Sequence, residues 1–160
     1  MIRVLRSWCL GVAGAAVFGA LASAASATCT TDRIALRGDW GQAQFTIHVA
    51  DDPAERSRGL MFVEAMPRFS GMLFVYEQPQ RVAFWMKNTL IPLDMIFADA
   101  RGVVQHVHVN AQPQDLTTIP GGEAIQYVLE INGGLSRVLG IAPGTQLRHP
   151  AIPDAAWACP

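Results

Sequence analysis

The stretch GMLFVYEQPQRVAFWMKNTLIPLDMIFA, Gly71 to Ala98, decides the fold class. Its apolar residues fall in three short runs, GMLFVY, RVAFWM and LDMIFA, and none repeats at the interval a helix needs to face a core. Runs of this length, rich in Val, Ile and Phe, read as strands. The first two, joined by EQPQ, are continuous enough to be buried on both faces. KNT then interrupts the apolar sequence, and Pro92 cannot donate to a sheet ladder. Lys87 to Pro92 should therefore leave the sheet before Asp94 enters the next strand.

The same pattern extends outward. FTIHV alternates Phe45, Ile47 and Val49 against Thr46 and His48, the mark of a half-buried strand, and RGDWGQ turns the chain into it from a strand at Ile34 to Leu36. DARG, Asp99 to Gly102, makes a hairpin between LDMIFA and VVQHVHV. In AIQYVLEI, Ile125, Tyr127, Leu129 and Ile131 share one face, and Gln126 and Glu130 the other. Two short helices are legible. Asp52 can cap the first, Pro53 takes its first position, Glu55 completes a capping box, and Gly59 ends it after Arg58. The second is GLSRVLG, ended by Gly140, after which APGT forms a Pro-Gly type II turn into a last strand. The expected fold is mainly β, a single domain with sandwich or barrel-like sheet packing and two short helices.

The chain begins differently. Arg3 and Arg6 precede the apolar run CLGVAGAAVFGALA, and SAASA follows it, the plan of a secretory signal peptide over residues 1–27 with cleavage after Ala25-Ser26-Ala27. The mature domain is then residues 28–160, periplasmic or secreted, with no membrane span once the signal is gone. SAT before Cys29 lacks the Leu of a lipoprotein signal. Cys29 and Cys159, one at each end, suggest a single disulfide in an exported protein; two reactive, frayed ends are the alternative. Cleavage removes two of the twelve basic residues and none of the thirteen acids, leaving a net charge of −3. That balance gives no reason to expect nucleic acid or an anionic membrane as partner.

ERSRGLM, GMLFVYEQPQ, FWMKNTLIPLDMIFAD, VLEINGG and LGIAPGT occur in this order, and with them the chain resembles domain of unknown function family 192 over roughly residues 35–149. The resemblance implies a small exported, largely β domain of sandwich or barrel type. It implies no activity.

The sharpest candidate site is KNT, which contains the only lysine in the 160 residues. An enclosed Lys87 must be paired, with Asp94 or Glu130 as the partners in reach. On one reading Lys87 and Asp94 form an ion pair while Asn88 and Thr89 bond loop backbone, and the cluster only fixes a crossing. On the other, Lys87, Asn88 and Thr89 are the polar wall of a pocket floored by Trp85, Met86 and Met61, suited to a small polar or anionic molecule or an envelope component. Arg56 and Arg58 are either a solvated helix face or further cations beside Lys87. A small enzyme using Lys87 with Asp94 or Glu130 as acid and base, and a purely structural envelope protein, are the alternatives.

His106 and His108 lie two apart on a strand and share a face, a spacing that invites a metal, with His48 as a distant third. No acid follows the pair, so an exposed strand face is the favoured account. The five methionines between Met61 and Met95 read as core. No nucleophile elbow is present. No cofactor is expected.

Overall fold

A computed structural model describes residues 29–160, so the expected signal segment 1–27 lies outside the described residues. Strands β1 (Arg33–Gly38) and β2 (Gly41–Ala50) form a hairpin, and α1 (Pro53–Arg58) leads to β3 (Ser70–Phe84), which pairs with β2 in parallel. β4 (Leu93–Ala98) and β5 (Val104–Ala111) form the hairpin expected across Asp99 to Gly102. β6 (Ile119–Asn132) runs between β3 and β4, antiparallel to both, and α2 (Leu135–Leu139) precedes the short β7 (Gln146–Arg148) beside β1. The result is one seven-stranded sheet in the order β5-β4-β6-β3-β2-β1-β7, curled into a half-barrel. A bridge between Val103 and Gln146 brings its two edges together at one end. Of the two expected packings, the barrel-like one is present. Among the described residues no helix is long and apolar enough to cross a membrane.

The pairing register turns alternation into two cores. Leu73, Leu129 and Ile96 lie side by side on β3, β6 and β4, and belong to the cluster that fills the curl with Ile34, Phe45 and Leu147. The next row, Phe74, Val128 and Phe97, points to the opposite face and packs with Leu60, Met86 and Ile125. All six residues of β4 are consequently buried, whereas on β2 the buried residues include Phe45 and Ile47 but neither Thr46 nor His48.

Three expectations need correction. EQPQ is not a connection: GMLFVY and RVAF belong to the single fifteen-residue β3, and its pairing with β6 shifts register between Val75 and Gln80 and again before Val82. Pro79 falls in that irregular segment, where no ladder hydrogen bond is asked of it. Trp85 and Met86 lie beyond the strand, and residues 77–81 are exposed, so the second run is not buried on both faces. Ile125, beyond the register shifts, joins the second cluster instead of the face of Tyr127, Leu129 and Ile131.

The helix ends match their residues. Asp52 accepts hydrogen bonds from the amides of Ala54 and Glu55, and Gly59 closes α1 at φ 49°. Glu55 reaches back to the amide of Asp51, one residue beyond the usual capping-box partner. The Pro143-Gly144 turn closes with a Thr145 amide bond to Ala142, Gly144 standing at φ 92°.

Candidate functional site

α1 and the residues just after it, β3, the β3–β4 connection and the end of β6 line an open cavity of about 640 Å³. Most of the expected site converges there: Arg56 and Arg58 from α1, Met61 just after it, Trp85, Lys87, Asn88 and Thr89 from the connection, and Glu130 from β6. Met86 does not line it, being buried in the second core. Asp94 is absent as well, for a reason the register supplies. Glu130 stands opposite Met72 and Met95, so its side chain shares the face of the second core, while Asp94, next to Met95, projects to the other face.

Asp94 does not pair with Lys87. Its Oδ1 accepts hydrogen bonds from the amides of Asn110 and Gly134 and its Oδ2 from that of Ser136, each at 2.7 Å. The fully buried carboxylate thus satisfies the start of α2, where Gly134 has no side chain to cap with, and fixes the end of β5. Its work is structural.

Lys87 is exposed, so the need for a buried counter-ion falls away. Its Nζ lies 5.1 Å from the centre of the Trp85 ring, and among the described residues no carboxylate comes within salt-bridge distance. KNT itself is a turn. Asn88 sits at φ 56°, a region asparagine tolerates better than most residues, and its carbonyl receives the amide of Phe62. Its side-chain amide approaches Met61 Sδ at 3.8 Å, and the Thr89 hydroxyl donates to the Lys87 carbonyl. The Thr89 side-chain bond is local, whereas Asn88 ties the turn to the segment after α1 at Met61 and Phe62, and all three residues of KNT border the cavity.

The two arginines differ. Arg56 donates to the carbonyls of Asp51 and Val75, reaches Glu77 at 3.4 Å and stacks over Tyr76, so it clamps α1 to β3. Arg58 makes no ion pair among the described residues and is the freer cation.

Glu130 is the most unusual group. It is 4% exposed, and among the described residues its carboxyl accepts no hydrogen bond and meets no cation. Burial pushes its pKa from 4.5 up to about 8. Burial also raises the Tyr76 hydroxyl, with Arg56 opposing and Glu130 adding to the rise, which places Tyr76 electrostatically beside Glu130. Tyr76, Phe74, Phe84 and Ser57 were not anticipated as lining residues. Met72, Phe74 and Tyr76 alternate onto one face of β3, and Met72 faces Glu130, so the pairing of β3 with β6 is the signal that would have found two of them.

The histidines do not assemble. His106 and His108 are on β5 and His48 on β2, with β4, β6 and β3 between them in the sheet. His106 stacks on Phe97 at 5.7 Å. Among the described residues no three metal-ligating side chains come together.

Fold and cavity define a small, disulfide-closed half-barrel with a cation-rimmed cavity on the outer face of its central strands. The family profile described as an uncharacterized ACR, domain of unknown function family 192, matches residues 35–149, and the chain belongs to that family. It is similar to the crystal structure of a protein of unknown function from Novosphingobium aromaticivorans DSM 12444, at 39% identity and TM-score 0.70, covering 72% of this chain and 82% of that one. It is also similar to the crystal structure of a putative transcription regulator from Sinorhizobium meliloti 1021, at 37% identity and TM-score 0.71, covering 75% of this chain and 94% of that one. Comparison with curated proteins gives no match.

Proposed function

We propose that this protein is an exported binding domain that takes a small anionic molecule in the cavity between α1 and the β3–β4 connection. The observation that carries the reading is the grouping of Arg56, Arg58 and Lys87, the last two without ion-pair partners among the described residues, around one cavity of a domain that is acidic as a whole. A local excess of positive charge against a net negative background attracts anions to that mouth. Export is supported by the sequence of residues 1–27 and by the disulfide between Cys29 and Cys159, a bond that persists in oxidising compartments. Intact mass of the protein recovered from the cell envelope should begin near Thr28; a product retaining residues 1–27 contradicts export by cleavage.

The binding test is calorimetry with a panel of small carboxylates, phosphates and sulfonates. K87M keeps much of the side-chain volume and removes the charge, and because Lys87 has no ion pair the fold should be nearly unaffected. Loss of one charge-assisted contact should weaken binding by about tenfold or more. Unchanged affinity in the double variant R58M/K87M removes the proposal.

One observation favours a second reading. A carboxyl titrating near neutrality inside a cavity is what a general acid or base requires, and Glu130 is such a group. Asp94 drops out of that role because its oxygens are held by backbone amides. Recovery of a bound molecule chemically altered by wild type but intact with E130Q would turn the binding domain into an enzyme.

A further inference from the structure

We infer that the ligand of this cavity is a small organic anion carrying a second, uncharged oxygen: the anionic group meets Arg58 and Lys87 at the mouth, and the uncharged oxygen accepts a hydrogen bond from the Glu130 carboxyl at the floor. This rests on the anion-binding reading above and adds the chemistry of the ligand's far end.

Glu130 lines the cavity, is almost wholly buried, and has no hydrogen-bond or ion-pair partner among the described residues. Its cross-strand neighbours, Met72 on β3 and Met95 on β4, are thioethers and offer no donor to hold a carboxylate. An ionised carboxylate there would be an uncompensated buried charge, so the favoured form is the neutral acid. Its upward titration agrees with this. A neutral carboxylic acid is a hydrogen-bond donor, and here the protein gives it nothing to donate to. The partner it lacks is an acceptor, and a bound ligand can bring one.

The rest of the lining argues against a cationic ligand for the same acid. The charged and titratable neighbours are Arg56 and Arg58 on α1, Tyr76 on β3 and Lys87 on the β3–β4 connection; β4 contributes none. Lys87 already lies over the Trp85 ring and Arg56 over the Tyr76 ring, so two aromatic faces that could cage an ammonium are taken by the protein's own cations. Phe84 is engaged edge-on with Phe74 and Phe97. These rings leave an apolar middle between a positive mouth and a donor floor.

The test is calorimetry on the disulfide-bonded protein with carboxylates of graded chain length that end in a methyl ketone, whose oxygen can only accept, each compared with the unsubstituted acid of equal length. At the best length the keto acid should bind about tenfold tighter or better, because a site built around a hydrogen bond penalises a ligand that cannot make it. E130L should bring the ratio near one, and E130Q, still a donor, should keep the preference. Raising the pH above about 8, where Glu130 ionises, should abolish it in wild type but not in E130Q. Equal binding of the two acids to wild type, or a preference that survives E130L, overturns the inference and leaves the anion site standing. Binding of neither acid overturns both. Tighter binding of the matched ω-amino carboxylate overturns it in favour of an ion pair at Glu130. If E130L does not fold, the E130Q and pH comparisons still decide.

Discussion

Glu130 makes the pH dependence of stability a local property. In the unfolded chain its carboxyl titrates near 4.5 and in the folded protein near 8. Between these values the folded state holds a proton the unfolded state has released, so unfolding becomes easier as pH rises. The stability present below about pH 4.5 is lost progressively and is gone by about pH 8. The loss amounts to at most about 5 kcal/mol, at 1.36 kcal/mol per unit. E130Q, which cannot titrate, should match wild type at the acid end and exceed it increasingly toward pH 8, with the gap constant beyond. Urea melts of both proteins across this range measure the gap; parallel curves would mean that Glu130 finds a partner in the folded state.

Asp94 joins elements, and its removal should be felt by all of them at once. A buried carboxylate that accepts three amide hydrogen bonds ties β4 to the end of β5 and to the start of α2. D94A leaves those amides unsatisfied and should cost about 3 kcal/mol or more, lowering Tm by roughly 10 °C for a domain of this size. Since Lys87 and Asp94 do not touch, D94A and K87M should be additive within about 0.5 kcal/mol; strong coupling in thermal melts would restore the ion pair that the geometry denies. Strand and helix positions were legible because period-two alternation, the Asp52 cap and the Gly140 stop are local signals. What remained hidden was which strands pair and in what register, since parallel pairing of β2 with β3 and the stagger that sets Glu130 against Met95 are long-range facts. Without them, Asp94 and Glu130 looked like interchangeable partners for Lys87, and Tyr76 looked like the end of a core run.

At the scale of the molecule, the first and last of the described residues converge on the side of the half-barrel where the sheet's edges meet. The tail crosses from β7 with Ile152 buried in the core, the amide of Ala156 bonded to the Arg101 carbonyl, and Trp157 held between Arg37 of β1 and Arg148 of β7. His149 Nε2 contacts the Thr31 carbonyl on the way. The Cys29–Cys159 bond, closing a separation of 130 residues, ties the start of the domain to this tail. A crosslink over so long a loop restricts the unfolded ensemble strongly, by up to about 5 kcal/mol on the chain-entropy model. The double variant C29S/C159S should therefore unfold at lower urea than wild type, and reduction of wild type should reproduce the shift. Because the cations lining the cavity lie on α1 and the β3–β4 connection, none of which the tail contacts through the bonds described, anion affinity measured below the transition should be unchanged. Equal urea midpoints for the variant and the oxidised protein would mean that Trp157, Ile152 and the backbone bonds hold the ends together without the covalent link.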